Sequence, residues 1–159
     1  MIGAAMPKQV VVTGGFDDLR SHHLRFLEEA AKLGDLTVVL WPDRVIQAMT
    51  GLAPKLPEAE RLYFLNAVRY VSQVRLVCGL IAPDVLPEVS GFRPDIWVVG
   101  DGPASAAQQA HAAARGIECR ALGGDRLKGF PDPTARGRNA LHRAPDPTQN
   151  DGDAVDRAP

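Results

Sequence analysis

A short run of apolar residues that ends at two adjacent glycines constrains the fold of this chain more than any other feature. Val10–Thr13 is apolar and β-branched, which predicts a strand buried on both faces of a sheet. Gly14 and Gly15 end the run, and the helical pattern that follows has His22 and His23 in its first turn. Glycines let backbone N–H groups approach an anion closely, and the first turn of a helix carries partial positive charge. The junction therefore predicts a phosphate site in an α/β protein.

The rest of the chain alternates strand-like and helix-like segments, which is typical of a parallel sheet with crossover helices. The predicted strands are Val10–Thr13, Leu36–Trp41, Val74–Cys78, Ile96–Val99 and Ile117–Leu122. The predicted helices are Ser21–Leu33, Asp43–Met49, Pro57–Tyr70 and Pro103–Arg115. Gly34 is expected to end the first helix as its C-cap, and Asp43 to cap the second. These elements predict an α/β fold, a Rossmann-like three-layer sandwich with a mostly parallel five-stranded sheet.

Composition limits the domains and the partners. The 159 residues, 45% of them hydrophobic, suffice for one compact core, which we assign to residues 1–130. Residues 131–159 are rich in Pro, Asp and Arg and predict a disordered or loosely attached tail. A formal net charge of −1 indicates neither a nucleic-acid nor a membrane partner. Since no apolar run suits a membrane span or signal peptide, and Cys78 and Cys119 lack metal-ligand spacing, we expect a cytoplasmic protein without disulfide or zinc.

Several segments of the sequence carry a resemblance to one family. They are Gly15-Phe-Asp17, His23, Arg25–Asp35, Pro57-Glu-Ala-Glu-Arg61 and Arg69-Tyr-Val-Ser-Gln-Val74. Together they resemble the cytidylyltransferase-like nucleotidyltransferases, the superfamily of glycerol-3-phosphate cytidylyltransferase and the heptose-phosphate adenylyltransferases. The resemblance covers roughly residues 9–125 and is strongest in the first seventy-four.

The resemblance implies a reaction and its participants. CMP or AMP would pass from CTP or ATP to a small phosphorylated alcohol or sugar, with release of pyrophosphate and assistance from Mg²⁺. The implied partners are a nucleoside triphosphate and a small phosphorylated metabolite, and the implied assembly is a homodimer. Such an enzyme holds the acceptor oxygen in line with the α-phosphorus and supplies positive charge to the reacting centre.

Two departures from the family pattern bear on that chemistry. The family's His-x-Gly-His motif lies over Arg20-Ser-His-His23, so Arg20 replaces the first histidine and His22 replaces the glycine. Arginine grips phosphate but does not reproduce the donor and acceptor behaviour of a neutral imidazole. The family's Ile-Ser-Thr-Ser/Thr segment has no counterpart, and Gly123–Asp132 stands in its place with Arg126 and Lys128 as candidate cations.

The candidate site residues combine the resemblance with the expected sheet. In an open parallel sheet, ligands bind at the carboxyl ends of the strands, where the first and fourth strands bring Gly14, Gly15 and Gly100 together. The candidate catalytic residues are His23, Arg20 and His22. The candidate nucleotide-binding residues are Gly14, Gly15, Phe16, Asp17, Gly100, Asp101 and Arg126. The candidate substrate contacts are Asp43, Lys55 and Arg69.

Several candidates have a structural alternative. Asp17 and Asp18 could hold Mg²⁺ or cap the helix, and no residue is predicted to be a dedicated metal ligand. Arg61 and Arg69 are interpreted as structural ion-pair partners. The alternative is that one of the two contacts the ligand. Trp41 and Trp97 are read as core or pocket wall.

Three functions stay open on the sequence. The first is an active nucleotidyltransferase. The second is a protein that binds a nucleotide or phosphometabolite without transfer, which the missing Ser/Thr segment favours. The third is a lyase or hydrolase on the same scaffold, with His22 or His23 as acid or base.

Overall fold

A five-stranded parallel sheet forms the centre of the computed structural model, which describes residues 5–79, 81–100 and 102–127. The strands are β1 (Gln9–Gly14), β2 (Asp35–Leu40), β3 (Gln73–Leu76), β4 (Ile96–Val99) and β5 (Glu118–Ala121). The helices are α1 (Ser21–Ala31), α2 (Asp43–Thr50), α3 (Glu58–Ala67) and α4 (Ala106–Ala114), followed by a 3₁₀ turn at Gly124–Leu127. The strand order is β3-β2-β1-β4-β5 and every pair is parallel, which confirms the predicted Rossmann-like fold. The predicted boundary at residue 130 and the predicted tail lie outside the described residues.

The two faces of the sheet are buried by different elements. On one face, alternate residues of β1, β2 and β4 pack against Leu27 and Ala30 of α1 and Leu65 of α3. On the other face, Trp97 packs with Ala112 of α4 and with the irregular segment that contains Leu86. Because both faces are covered, the inner strands consist of continuous apolar residues rather than an alternating pattern. The result is the three-layer sandwich that the sequence predicted.

The position between β1 and β4 is where the order of the strands reverses. β1 continues into α1 on one face of the sheet, whereas β4 continues into α4 on the other. The carboxyl ends of both strands, at Gly14 and Val99, therefore open into a crevice between the two connections. This crevice is the place where a doubly wound sheet binds its ligands.

Several helix ends differ from the prediction, and α3 ends at Ala67 rather than at Tyr70. Lys32, not Gly34, is the C-cap of α1. Pro42 is the N-cap of α2, and Asp43 makes no capping hydrogen bond because its carboxylate pairs with an arginine of α3. α4 begins at Ala106 rather than Pro103, because the Ser105 hydroxyl accepts the backbone N–H of Gln108 and caps the helix there. Within the described residues, no helix is long and apolar enough to cross a membrane.

Gly34 has a structural task other than capping. It adopts φ +156°, and a Cβ built on it would lie 2.1 Å from the carbonyl oxygen of Lys8. The same oxygen accepts the Asp35 N–H at 2.9 Å, where β2 enters the sheet. A side chain at this position would push β2 away from the segment that precedes β1.

Gly34→Ala should therefore lower the free energy of unfolding by at least about 2 kcal/mol, because the methyl group meets backbone that cannot move aside cheaply. Urea denaturation followed by circular dichroism measures the loss. Gly51→Ala is the matched control: Gly51 has φ +75° but nothing within 4 Å of its Cβ position. That control should lose only about 1 kcal/mol. Equal losses in the two variants would contradict the assigned contact with Lys8.

Candidate functional site

A cavity of about 320 Å³ lies at the carboxyl ends of β1 and β4. Six predicted site residues line it: Gly14, Gly15, Phe16, His22, His23 and Gly100. The sequence had placed Trp41 and Trp97 as core or wall, and both line the cavity as well. The other lining residues are Thr13, Phe26, Pro83, Val98, Val99, Gln108 and Leu127. The fold thus brings residues from β1, α1, β4 and α4 to one cavity, as the strand order requires.

His23 is held by a hydrogen bond at the start of α1. Its Nδ1 accepts the backbone N–H of Arg20, the N-cap residue, at 3.0 Å. The neutral imidazole must then carry its proton on Nε2, because one ring nitrogen accepts and the other donates. The rings of His22 and His23 lie with their centroids 3.8 Å apart and their planes tilted by 38°, and the Phe16 ring meets His23 edge-on at 6.2 Å. His23 is therefore a positioned donor in the wall of the cavity.

The glycines at this edge admit aromatic rings to the backbone. A Cβ on Gly14 would lie 3.2 Å from the Phe16 ring, and one on Gly100 would lie 3.2 Å from the Phe26 ring. Phe16 itself adopts φ +49°, a left-handed conformation that is strained for a large side chain. The sequence predicted that an anion would approach the backbone at these glycines. At Gly14 and Gly100, the rings of Phe16 and Phe26 occupy the space beside the backbone instead. Phe16 and Phe26 both line the cavity as a result.

Two aspartates tie the loop before α3 to the β1–α1 connection. The Asp17 carboxylate accepts the backbone N–H groups of Lys55 and Leu56, each at 2.9 Å. The Asp18 carboxylate accepts from Arg20 through Nε at 2.9 Å and a terminal nitrogen at 2.6 Å, and from Lys55 Nζ at 3.0 Å. Arg20 and Lys55 therefore share one counterion beside the helix start that carries the histidines.

This arrangement changes the acidity of Asp18. Hydrogen bonds from Arg20 and then Lys55 lower the pKa of the Asp18 carboxyl from 3.8 to about 2, and the same pair raises the pKa of Arg20. Asp18 is consequently ionised throughout the physiological range. Any anionic ligand that binds Arg20 or Lys55 has to compete with it.

Arg61 is buried and joins three connections of the fold. Only 1% of its surface is exposed. Its Nε donates to Leu56 O at 3.0 Å, one terminal nitrogen donates to Gly15 O at 2.6 Å and Trp41 O at 2.8 Å, and the other pairs with Asp43. The interpretation of Arg61 as a structural ion-pair partner agrees with this geometry. Asp43, predicted to contact substrate, is the partner of that buried guanidinium.

Arg69 lies far from the other candidates along the sheet. It follows α3 just before Ser72, whose N–H donates to Leu36 O at the amino end of β2. Its guanidinium donates to the Tyr70 hydroxyl at 2.8 Å and lies over the Tyr70 ring. The cavity is at the opposite, carboxyl edge, so the fold does not bring Arg69 to it, and the predicted contact with substrate stays a prediction.

The last candidates are at the end of the described chain. Arg126 is exposed beside the lining residue Leu127, and its carbonyl oxygen accepts Arg25 Nε at 3.2 Å, which holds the 3₁₀ turn against α1. Asp101, Lys128 and the side chain of Asp125 lie outside the part that is described.

Sequence reasoning missed Gln108 as a lining residue. The signal was present, because Ser105-Ala-Ala-Gln108 has the spacing of a capping box, which marks the start of a helix. A helix that follows β4 must start at the carboxyl edge of the sheet. Recognition of the box would have placed Gln108 beside Gly100.

The donor set does not fit a protein-held Mg²⁺. Among residues 5–79, 81–100 and 102–127, no three His, Cys, Asp or Glu side chains come together as metal ligands. The nearest carboxylates, Asp17 and Asp18, accept hydrogen bonds from Lys55, Leu56 and Arg20.

Comparison with known proteins identifies the family. The FAD synthase of Pyrococcus horikoshii is 33% identical over 100 residues, which is 62% of this chain and 66% of the relative. The bifunctional protein HldE of Hydrogenovibrio crunogenus is 37% identical over 106 residues, 59% of this chain and 22% of the relative. The chain belongs to the cytidylyltransferase-like nucleotidyltransferases. No family model matches it.

Solved structures of similar fold agree with this family. The lipopolysaccharide core biosynthesis protein of Thermoplasma volcanium has a TM-score of 0.55 at 26% identity, covering 74% of this chain and 95% of that one. A protein of unknown function from Archaeoglobus fulgidus, at 19% identity and a TM-score of 0.52, shares the fold. The matched region spans less than two thirds of the length of the FAD synthases of P. horikoshii and Pyrococcus abyssi, at 66% and 62%.

Arg61→Met should lower the free energy of unfolding by about 3 kcal/mol, because it leaves three carbonyl oxygens and the Asp43 carboxylate without their donor. Arg69→Met, which changes an exposed arginine just after α3, is the control and should lose less than about 1 kcal/mol. Urea denaturation measures both. Similar small losses would show that the Arg61 network is not what holds the three connections together.

The Asp18 carboxyl should titrate at about 2, and its pKa should rise toward 3.8 in Arg20→Met and in Lys55→Met. Because the folded pKa is lower than the unfolded one, the stabilising contribution is complete above 3.8 and disappears as the pH falls through about 2. Carboxyl ¹³C NMR titration measures the pKa. Lys8→Met, which removes a distant pair with Glu118, is the control and should leave it unchanged. An unshifted Asp18 in both test variants would refute the shared counterion.

Proposed function

We propose that the protein is an adenylyltransferase or cytidylyltransferase that binds its nucleotide in the cavity between β1 and β4. The observation that carries the proposal is the placement of His23, a positioned donor at the start of α1, in the wall of that cavity. The names of the relatives favour ATP over CTP, since FAD consists of FMN and AMP joined through a pyrophosphate linkage. A phosphorylated acceptor, with FMN as the first to test, would then receive the AMP group.

The reaction needs no covalent intermediate on the enzyme. An oxygen of the acceptor phosphate attacks the α-phosphorus of the nucleotide, the bond from that phosphorus to the bridging oxygen breaks, and pyrophosphate leaves with the electron pair. The chain's task is to hold these atoms in line and to supply donors and positive charge to the phosphoryl oxygens. His23 Nε2 and the first-turn N–H groups of α1 are suited to the phosphoryl oxygens, and Arg20 and Lys55 to the pyrophosphate or the acceptor phosphate.

A second candidate is a protein that binds the nucleotide without transferring it. The geometry of Arg20 favours this candidate, since its guanidinium pairs with Asp18 and does not line the cavity. The two candidates differ in one measurable product. Transfer releases pyrophosphate, whereas binding alone releases none.

A pyrophosphate-release screen tests the proposal. ATP and CTP are each combined with FMN, glycerol phosphates and sugar phosphates, and we expect turnover with at least one pair. His23→Asn, which keeps an acceptor near the place of Nδ1 and removes Nε2, should lower kcat/KM by about 100-fold. His23→Gln keeps a donor near the place of Nε2 and should lose less.

His111→Asn is the control for these variants, because His111 lies on α4 and is not a lining residue. It should retain wild-type kcat/KM. If calorimetry shows nucleotide binding while every acceptor pair stays silent, transfer is refuted and the binding protein remains. Equal activity in His23→Asn and wild type would remove His23 from the reaction.

A further inference from the structure

The amide of Gln108 has a fixed orientation at the edge of the cavity. Its backbone N–H donates to the Ser105 hydroxyl at 3.1 Å, and its side-chain oxygen accepts the Ser105 backbone N–H at 2.9 Å. A backbone N–H can only donate, so the atom that faces it must be the amide oxygen. The capping box thereby decides which end of the amide remains for other contacts.

That remaining end is a donor. Within the described part of the chain, the Gln108 Nε2 makes no hydrogen bond. The buried side-chain atoms that lack a partner there are Arg75 Nε and Trp97 Nε1, so the Gln108 Nε2 is accessible rather than buried. Gln108 lines the cavity, together with Trp97 and Pro83. An accessible N–H₂ group in the wall of a cavity favours a ligand that offers it an acceptor.

Charge separates this end of the cavity from the histidine end. The Asp84 carboxylate accepts the Ser105 hydroxyl at 2.9 Å, so the neighbourhood of Gln108 contains an anion. Pro83, Trp97 and Val99 supply apolar walls there. The histidines line the cavity at the start of α1, and Arg20 and Lys55 lie beside that helix start without lining the cavity. The phosphates therefore suit the α1 end, and an uncharged ring suits the Gln108 end.

We propose that Gln108 reads the nucleotide by donating an Nε2–H to an acceptor nitrogen on the edge of its base. This inference rests on the proposed function, because it takes the ligand of the cavity to be a nucleotide. It adds a specificity-determining residue on α4, outside the segments that resemble the family. The base would lie against Trp97 and Pro83, with its acceptor edge toward α4.

Gln108→Glu tests the inference without removing the cap. The glutamate keeps an oxygen for the Ser105 N–H, as in a Ser-x-x-Glu capping box, and replaces the donor with a second acceptor. Its melting temperature should match that of the wild type. Its affinity for ATP, measured by calorimetry without an acceptor substrate, should fall by roughly 10- to 100-fold. Gln73→Glu, an exposed position at the amino end of β3, makes the same charge change away from the cavity and should bind ATP normally.

Deaza analogues of ATP separate base reading from simple repulsion by the added charge. Replacing N1, N3 or N7 of adenine by C–H removes one acceptor at a time. On the wild-type protein, one analogue should bind roughly 10-fold more weakly than ATP. On Gln108→Glu, the same analogue and ATP should bind equally well. That loss of discrimination identifies the nitrogen that Gln108 contacts.

The outcomes distinguish the two proposals. If ATP is bound and turned over while Gln108→Glu and wild type bind ATP and all three analogues alike, Gln108 does not read the base and the proposed function stands. If the variant binds ATP more weakly but discriminates among the analogues as wild type does, the effect is electrostatic and the inference is overturned. If wild type binds neither ATP nor CTP, the inference fails together with the proposed function.

Discussion

The buried guanidinium of Arg61 is the interaction on which the site depends. A charge at 1% exposure is unfavourable unless every donor finds an acceptor, and here the acceptors come from the β1–α1, β2–α2 and pre-α3 connections. Each of these connections is irregular backbone with carbonyl oxygens that no neighbouring strand can satisfy. One side chain of α3 satisfies them together, and so fixes the distance between the glycine loop and the loop of Lys55.

The charges at the carboxyl edge are arranged around this anchor. Asp17 holds the backbone of Lys55 and Leu56, while Asp18 neutralises the side chains of Lys55 and Arg20. The arginine that replaces the family's first histidine thus has a resident counterion. An anion bound near α1 would exchange places with a carboxylate rather than enter an empty cationic site, which would make affinity for phosphate sensitive to Asp18.

The sequence predicted the inner elements better than their ends. Val10–Thr13 and Ile96–Val99 were recognisable because strands buried on both faces are continuous apolar runs. Gly34 carried the usual signal of a C-cap, but the glycine is required by the Lys8 carbonyl, a contact between segments far apart in sequence. Asp43 carried the signal of an N-cap, and its carboxylate was instead drawn to the buried cation of α3. Local patterns hold no information about such long-range partners.

The sequence by itself determined the parallel α/β architecture, the edge of the sheet at which the cavity opens, and His22 and His23 as part of that edge. Those features follow from periodicity and from chain order, which are local properties. Only the tertiary structure decided that Arg69 lies at the opposite edge, that Phe16 and Phe26 pack onto the glycines, and that Gln108, with its amide oxygen held by Ser105, lines the cavity. Each of these three features depends on contacts between side chains of different helices, strands and loops. Such contacts are fixed by packing and by hydrogen bonding only once the whole chain is folded.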